Sequence, residues 1–413
     1  MFSIGSSEQQ RFQDIRLCLE RDVVPRLGEI RTPALLYLDA VLHANVDEYL
    51  DFLAPLQVDL LYSVKPCTLD FVVTQLAGRT AGFDACTTAE ARLVREILGP
   101  GAKPVHLTGL GVSQQTWPEV AAVADYVNVN SLSTLDRVRS VHKGLKPRVG
   151  LRVNPKFSTA KDLRYDPARP GSKLGVPPGL FERWVVEDGG RGVSGLHFHI
   201  ACESSSLGAV VSSLDWLTTV AAPLLPRLEY LNVGGGWLRP GVVDGREDFA
   251  EMTRGVRALG VPTILTEPGT GVVRDAGVLA TRVLDVIDTD DVTVAVVDTT
   301  VGHAPEVFEY AWAPEVHAPG NEPSPESGRE YEIAGCSPLA GDVFGRYRFR
   351  DPLRVGQPLF FLQLGAYAQA RWSSFTGLPW PSVHRLTRTG ELLTAQGSSD
   401  LAYRSLWRSH GQR

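Results

Sequence analysis

The chain has 413 residues, 43% hydrophobic and 21% charged, so it can bury a large core and is too apolar to be disordered. With 41 Lys and Arg against 47 Asp and Glu, its net charge of -6 argues against a nucleic-acid binder held by a basic surface. No apolar run is long enough to span a membrane, and the opening MFSIGSSEQQRFQD lacks the basic-then-apolar pattern of a secretory leader, so a cytoplasmic protein is expected.

Five cysteines (Cys18, Cys67, Cys86, Cys202 and Cys336) are scattered without a C-x-x-C pair, which points to reduced thiols and to no structural metal. From about Val58 to Gly269, short apolar β-branched runs alternate with segments of helical period. The runs end in LLYSVK, TAGFD, PVHLTG, YVNVN, VGLRVNP, LHFHI, YLNVGGG and ILTEPG. Helical stretches such as Thr87–Leu98, Gln114–Ala124, Ser131–His142 and Leu207–Leu225 lie between them. Eight such strands predict an α/β chain with a closed parallel (β/α)8 barrel. After Glu267 the pattern turns β-like (GVLATRVLDVI, VTVAVVDTT, YEIAG, PLFFLQLGAYAQARW), and His317–Gly328 reads as an exposed loop.

Reactive residues fall at the strand ends. Lys65 ends the first run, Asp84 the second, Arg152 and Asn154 the fifth and His199 the sixth. Gly234, Gly235 and Gly236 follow the seventh, and Glu267-Pro268-Gly269 the eighth. Each has an ordinary structural reading: a solvated lysine, a tight glycine turn, a core histidine. In LHFHI, His197 and His199 flank Phe198, so alternation puts both on one face, where one could be a core residue. In a barrel of this kind the C-terminal strand ends form the active site, with phosphate often bound after strands seven and eight. Pyridoxal 5'-phosphate uses all these parts together: a lysine for its aldehyde, close-approach glycines for its phosphate and an acid for its pyridine nitrogen. A cofactor-free Schiff-base aldolase would leave both glycine turns unexplained.

The stretches YSVKP, GFDACTTAEA, GLHFHIACES, LNVGGGW, EPGTG and GAYAQARWSSFTGLP resemble the fold-type III pyridoxal phosphate decarboxylases acting on ornithine, arginine and diaminopimelate. YDPARPGSKLG, HAPEVFEYAWAPEV and PLAGDVFGRYRF resemble more closely the carboxynorspermidine and carboxyspermidine decarboxylases. The resemblance implies an alanine-racemase-like barrel over 34–274 and a C-terminal β domain over 275–413 that 1–33 joins. It also implies a homodimer with shared active sites and decarboxylation of a cationic or polyamine-like amino acid. Lys65 would carry the cofactor and His199 would stack on its ring. Gly234, Gly235, Gly236, Gly269 and Tyr367 would hold the phosphate, Glu267 the pyridine nitrogen, and Arg152 would lie nearby. Glu203 and Asp342 would meet substrate. The family's C-terminal catalytic cysteine falls at Pro338, which leaves Cys336, two residues earlier, as the thiol candidate. That departure keeps open another carbanion outcome, such as racemisation or elimination; a non-catalytic cofactor-binding protein is a further alternative.

Overall fold

A computed structural model describes residues 7–400 apart from 145, 159, 161 and 325. These residues divide into two compact units, one spanning Asn45–Val272 and one made of the described residues up to Ala44 and from Val273 onward. Residues 34–44, expected inside the barrel range, belong to the second unit. The reason is that strand β1 (Ala34–Leu38) pairs there rather than in the barrel.

In the first unit β2 (Val58–Ser63), β3 (Gly82–Ala85), β4 (Val105–Thr108), β5 (Tyr126–Val129), β6 (Arg148–Arg152), β7 (Gly195–His197), β8 (Tyr230–Asn232) and β9 (Ile264–Thr266) run parallel in chain order. β9 closes on β2, which completes the expected eight-stranded barrel. The expected helices form with trimmed ends: Thr88–Leu98, Trp117–Val123, Leu132–Val141 and Gly208–Val220. The second starts late because Ser113 and Thr116 exchange side-chain-to-backbone bonds in a turn (2.9 and 3.2 Å). The last ends early, ahead of Pro223, which has no N–H to continue it.

A polar and aromatic layer fills the barrel interior, with Tyr126 and Tyr230 at the starts of their strands. The fully buried Tyr230 donates its hydroxyl to Asn128 Oδ1 at 2.7 Å, and Asn128 Nδ2 donates to Thr108 Oγ1 at 2.9 Å. His106 stacks on Tyr126 with ring centroids 4.2 Å apart. A Cβ on Gly195 would lie 2.3 Å from the Tyr230 ring, and one on Gly150 would lie 2.2 Å from its hydroxyl, so these two glycines make the room Tyr230 occupies. With that end filled, the opposite strand ends are left for chemistry.

The second unit is a nine-stranded mixed sheet. Besides β1 it holds β10 (Gly277–Asp288), β11 (Thr293–Val297), β12 (Val316–His317), β13 (Arg329–Ala334), β14 (Val343–Phe349), β15 (Pro358–Phe361), β16 (Ser382–Leu386) and β17 (Leu392–Gln396). The twelve-residue β10 bonds to β1 and β15 along its first half and to β11 along its second, with a register shift between Val283 and Asp285. Phe344 stacks on Phe361 at 4.3 Å in a core with Val297, Ile333 and Leu359. The N-terminal helix Glu8–Asp22 belongs to this unit, and its Arg16 pairs with Glu315 at 3.0 Å. The expected exposed loop His317–Gly328 begins buried, since His317 lies in β12 and stacks on Phe360, and its described residues from Pro319 on are exposed or half-buried. Among the described residues no helix is long and apolar enough to cross a membrane.

Candidate active site

The barrel brings the strand-end residues to one rim. Lys65 lies two residues beyond β2 and is half-buried, while Asp84 and Arg152 stand at the ends of β3 and β6. His199 follows β7, the three glycines follow β8 and Glu267 follows β9. The glycine turn threads between its neighbours. A Cβ on Gly234 would lie 2.3 Å from the Phe198 carbonyl oxygen, on Gly235 2.4 Å from that of Glu267, and on Gly236 2.1 Å from that of Ala201. Gly234 and Gly236 also take φ of 74° and 83°, a left-handed backbone that favours glycine. Beyond the turn, Ser204 N–H donates to the Gly236 carbonyl at 2.9 Å, which pins the loop carrying Glu203. Glu203 is half-buried with φ 46°. On the other side, a Cβ on Gly269 would meet the Pro66 ring at 2.7 Å, so the loops carrying Lys65 and Glu267 touch.

At the centre is Glu267, almost fully buried. His197 Nε2 lies 2.9 Å from its Oε1, and Asn232 Nδ2 donates to its Oε2 at 2.7 Å. The same Asn232 accepts the Gly234 N–H at 2.9 Å, so one side chain both shapes the glycine turn and holds the acid. His199 Nδ1 stands 3.3 Å from Glu267 Oε1 and 3.2 Å from the Gly235 nitrogen, whose N–H it accepts. Burial works against ionising Glu267, but the facing His197 and His199 outweigh it and hold the carboxyl well below the usual range. Burial pushes His199 down to about 4 and lowers His197, with Glu267 pulling both the other way.

Asp84 shows the opposite case. Burial, then repulsion from Glu267, pushes its carboxyl well above the usual range, while Lys65 pulls the other way. Ser63 Oγ donates to its Oδ2 at 3.0 Å. Cys86 beside it is pushed to about 12, first by burial, so its thiol is protonated. Arg152 is lowered by burial, against the pull of Glu267 above all, and its Nη2 donates to the His199 carbonyl at 3.4 Å. Asn154 faces away from this chemistry: its Nδ2 donates to the Pro167 and Leu174 carbonyls at 2.9 and 2.6 Å and fixes the long loop after β6.

The remaining expected residues lie in the second unit. Tyr367 is half-buried with φ 52°. Asp342 is the acid expected to meet substrate. It is buried, and its Oδ1 and Oδ2 accept the N–H groups of Val301 (2.7 Å) and Ser337 (3.0 Å), so its oxygens serve to hold two turns together. Cys336 is half-buried, its N–H donates to the Thr299 carbonyl at 2.9 Å, and burial, then Asp342, raises its thiol. Sequence reasoning did not single out Asn232 or Ser63, and it left His197 as one of an inward-facing pair of which one could be a core residue. Inward alternation was the available signal for all three.

These residues fit pyridoxal phosphate. The turn at 234–236 has no space for a side chain, a held carboxylate meets the need of a protonated pyridine nitrogen, and the Lys65 amine lies within electrostatic reach of the two histidines that face that carboxylate. The family model for the pyridoxal binding domain of pyridoxal-dependent decarboxylases matches residues 40–274. The chain is 30% identical over 397 residues to a carboxyaminopropylagmatine decarboxylase of Synechocystis, covering 94% of this chain and 95% of that one. It is 30% identical over 282 residues to a carboxynorspermidine/carboxyspermidine decarboxylase of Herminiimonas arsenicoxydans, covering 67% and 73%. The crystal structure of carboxynorspermidine decarboxylase from Campylobacter jejuni, complexed with norspermidine, shares its fold with a TM-score of 0.79 at 23% identity. That match covers 91% of this chain and all of the other.

Proposed function

This chain belongs to the pyridoxal-dependent decarboxylases, and we propose that its substrate is a polyamine-like α-amino acid of the carboxyaminopropylagmatine or carboxynorspermidine kind. The observation that carries the reaction class is Glu267, a buried carboxylate held by His197 and Asn232 at the rim where Lys65 stands. Likeness along nearly the whole chain to the Synechocystis enzyme makes carboxyaminopropylagmatine the first substrate to try.

When bound, pyridoxal phosphate supplies an electron sink for the pair left behind as a Cα–carboxylate bond breaks. Lys65 would hold the cofactor covalently, and the turn Gly234–Gly236 with Gly269 would admit its phosphate. Tyr367 would add a hydroxyl to that phosphate. Glu267 would keep the ring nitrogen protonated, and His199 would restrict the ring's orientation. Arg152 would add positive charge beside Glu267, and Glu203 would meet a substrate amine. Asp84 and the Cys86 thiol, both driven toward their neutral forms by burial, would leave Glu267 as the ionised acid of the rim.

The chain would act as a cytoplasmic homodimer. Phe308, Leu339 and Phe375 are exposed around a cavity of about 400 Å³ in the second unit, which supports a second copy covering that face. The test is to incubate cofactor-loaded protein with carboxyaminopropylagmatine, carboxynorspermidine, carboxyspermidine, diaminopimelate, lysine, ornithine and arginine, following carbon dioxide and product mass. Release from a carboxylated polyamine is expected; release only from diaminopimelate or lysine would overturn the substrate class.

A further inference from the structure

We propose that His197 is a positioning residue that keeps Glu267 ionised and aimed, and thereby sets the protonation of the cofactor's ring nitrogen. This rests on the reading of Glu267 as that nitrogen's partner. His197 and Glu267 have side-chain exposures of 0% and 4%, so an ionised Glu267 needs donors supplied by the protein itself. Three nitrogens come near its oxygens: His197 Nε2, His199 Nδ1 and Asn232 Nδ2. His199 does not serve equally. Its Nδ1 accepts the Gly235 N–H, and a lone pair that accepts from Gly235 cannot also donate to Glu267. The Oε1 donor is therefore His197, at the shorter distance of 2.9 Å.

That assignment fixes the tautomer. With its proton on Nε2, His197 keeps a bare Nδ1, which finds no hydrogen-bond partner among the described residues. A second proton there would face no acceptor, and burial first, then Arg152 and Lys65, works against it and against the pull of Glu267, so the ring donates while neutral. The other titratable groups interacting with this pair are Asp84, Cys86, His106, His199 and Tyr230. A neutral donor leaves the full negative charge on Glu267, available to the ring nitrogen; an imidazolium would have spent it. Sequence alternation supplies the geometry, because the residue two before His199 must also face inward.

The test compares His197→Met, which fills the volume without a donor, with His197→Gln, which keeps an N–H where Nε2 stands. Each is loaded with cofactor labelled with 15N at the ring nitrogen, and that resonance is followed against pH. Losing a hydrogen bond to a charged group shifts the proton's distribution by about 10–100-fold. The H197M midpoint for ring deprotonation should thus fall by roughly 1–2 pH units, with H197Q close to wild type. Equal midpoints in wild type and H197M would overturn the proposal. If H197M does not fold, 15N-histidine spectra of the unmutated apoprotein decide: a protonated Nε2 on His197 supports the proposal and a bare Nε2 refutes it. Wild-type protein that takes up no pyridoxal phosphate at Lys65 would instead show that the functional reading itself fails.

Discussion

Gly235→Ala is the sharpest test of how the glycine turn and the acid are built together. A Cβ at Gly235 would lie 2.4 Å from the Glu267 carbonyl oxygen, 2.7 Å from its carbon and 3.0 Å from the Pro268 nitrogen. All three are backbone atoms, so no side chain can swing aside. Relief takes about an ångström of motion in the chain that carries Glu267, at an overpacking cost of roughly 1–3 kcal/mol. The same motion strains the Glu267 N–H bond to the Gly234 carbonyl (2.9 Å) and redirects the Gly235 N–H. If that cost falls on the cofactor-binding conformation, affinity for pyridoxal phosphate drops by about 5–150-fold. Gly78→Ala is the control, because a Cβ there meets nothing and φ is -77°. It should change stability by less than about 0.5 kcal/mol and leave binding alone. Quenching of tryptophan fluorescence by added cofactor measures affinity, and melting of the apoprotein measures stability. A Gly235→Ala protein that melts like wild type and binds cofactor within about twofold of it would refute the packing argument.

Borohydride reduction of the loaded protein should fix the cofactor on the peptide containing Lys65 and on nothing in Lys65→Ala; trapping at another lysine would reassign the covalent site. His106 is buried and pushed down to about 4 from 6.5, mainly by burial. As pH falls below 6.5 the unfolded chain takes up a proton there that the folded chain refuses until about pH 4, so stability is lost across that window. His106→Phe keeps the stacking on Tyr126 and should flatten the stability curve by roughly 1.4 kcal/mol per pH unit between about pH 6 and 4.5; an unchanged slope would count against a neutral buried His106. Cys336→Ala tests the thiol as proton donor. If this thiol is recruited, its loss should slow amine formation by about 10²–10⁴-fold or divert product to aldehyde, with Pro338→Cys as the gain-of-function partner. Identical rates and products in Cys336→Ala would remove Cys336 from the chemistry.

The barrel was legible because eight β-branched runs separated by helical periods admit few arrangements, and the runs fell where the strands are. The domain boundary was less so. Ala34–Leu38 is apolar at every position, as a barrel strand would be, yet its partners are β10 and β16, more than 200 residues away in sequence. An all-buried strand carries no alternation to say which sheet buries it. Helix ends moved where side chains competed for the backbone, as at Ser113 and Thr116, a contest that periodicity does not register.

For the site, spacing from strand ends predicted which residues share the rim but not which atoms they offer one another. Glu267 is gripped from 35 residues away by Asn232 and from 70 by His197. Neither separation follows from local pattern; both follow once β7, β8 and β9 are neighbours. Asp342 shows the limit from the other side. An acid in a turn-rich segment reads equally as a substrate ligand or as an acceptor for orphan turn N–H groups, and only the positions of Val301 and Ser337 reveal the second. Because Ser337 is tied to Asp342 and Cys336 to Thr299, the segment holding Pro338 is fixed by hydrogen bonds immediately before the proline. A thiol two residues out of the family register therefore cannot take the missing cysteine's place by a small slide. Moving it costs those turn bonds, which is why the product of Cys336→Ala, more than its rate, discriminates between recruitment of this thiol and a different source of the proton.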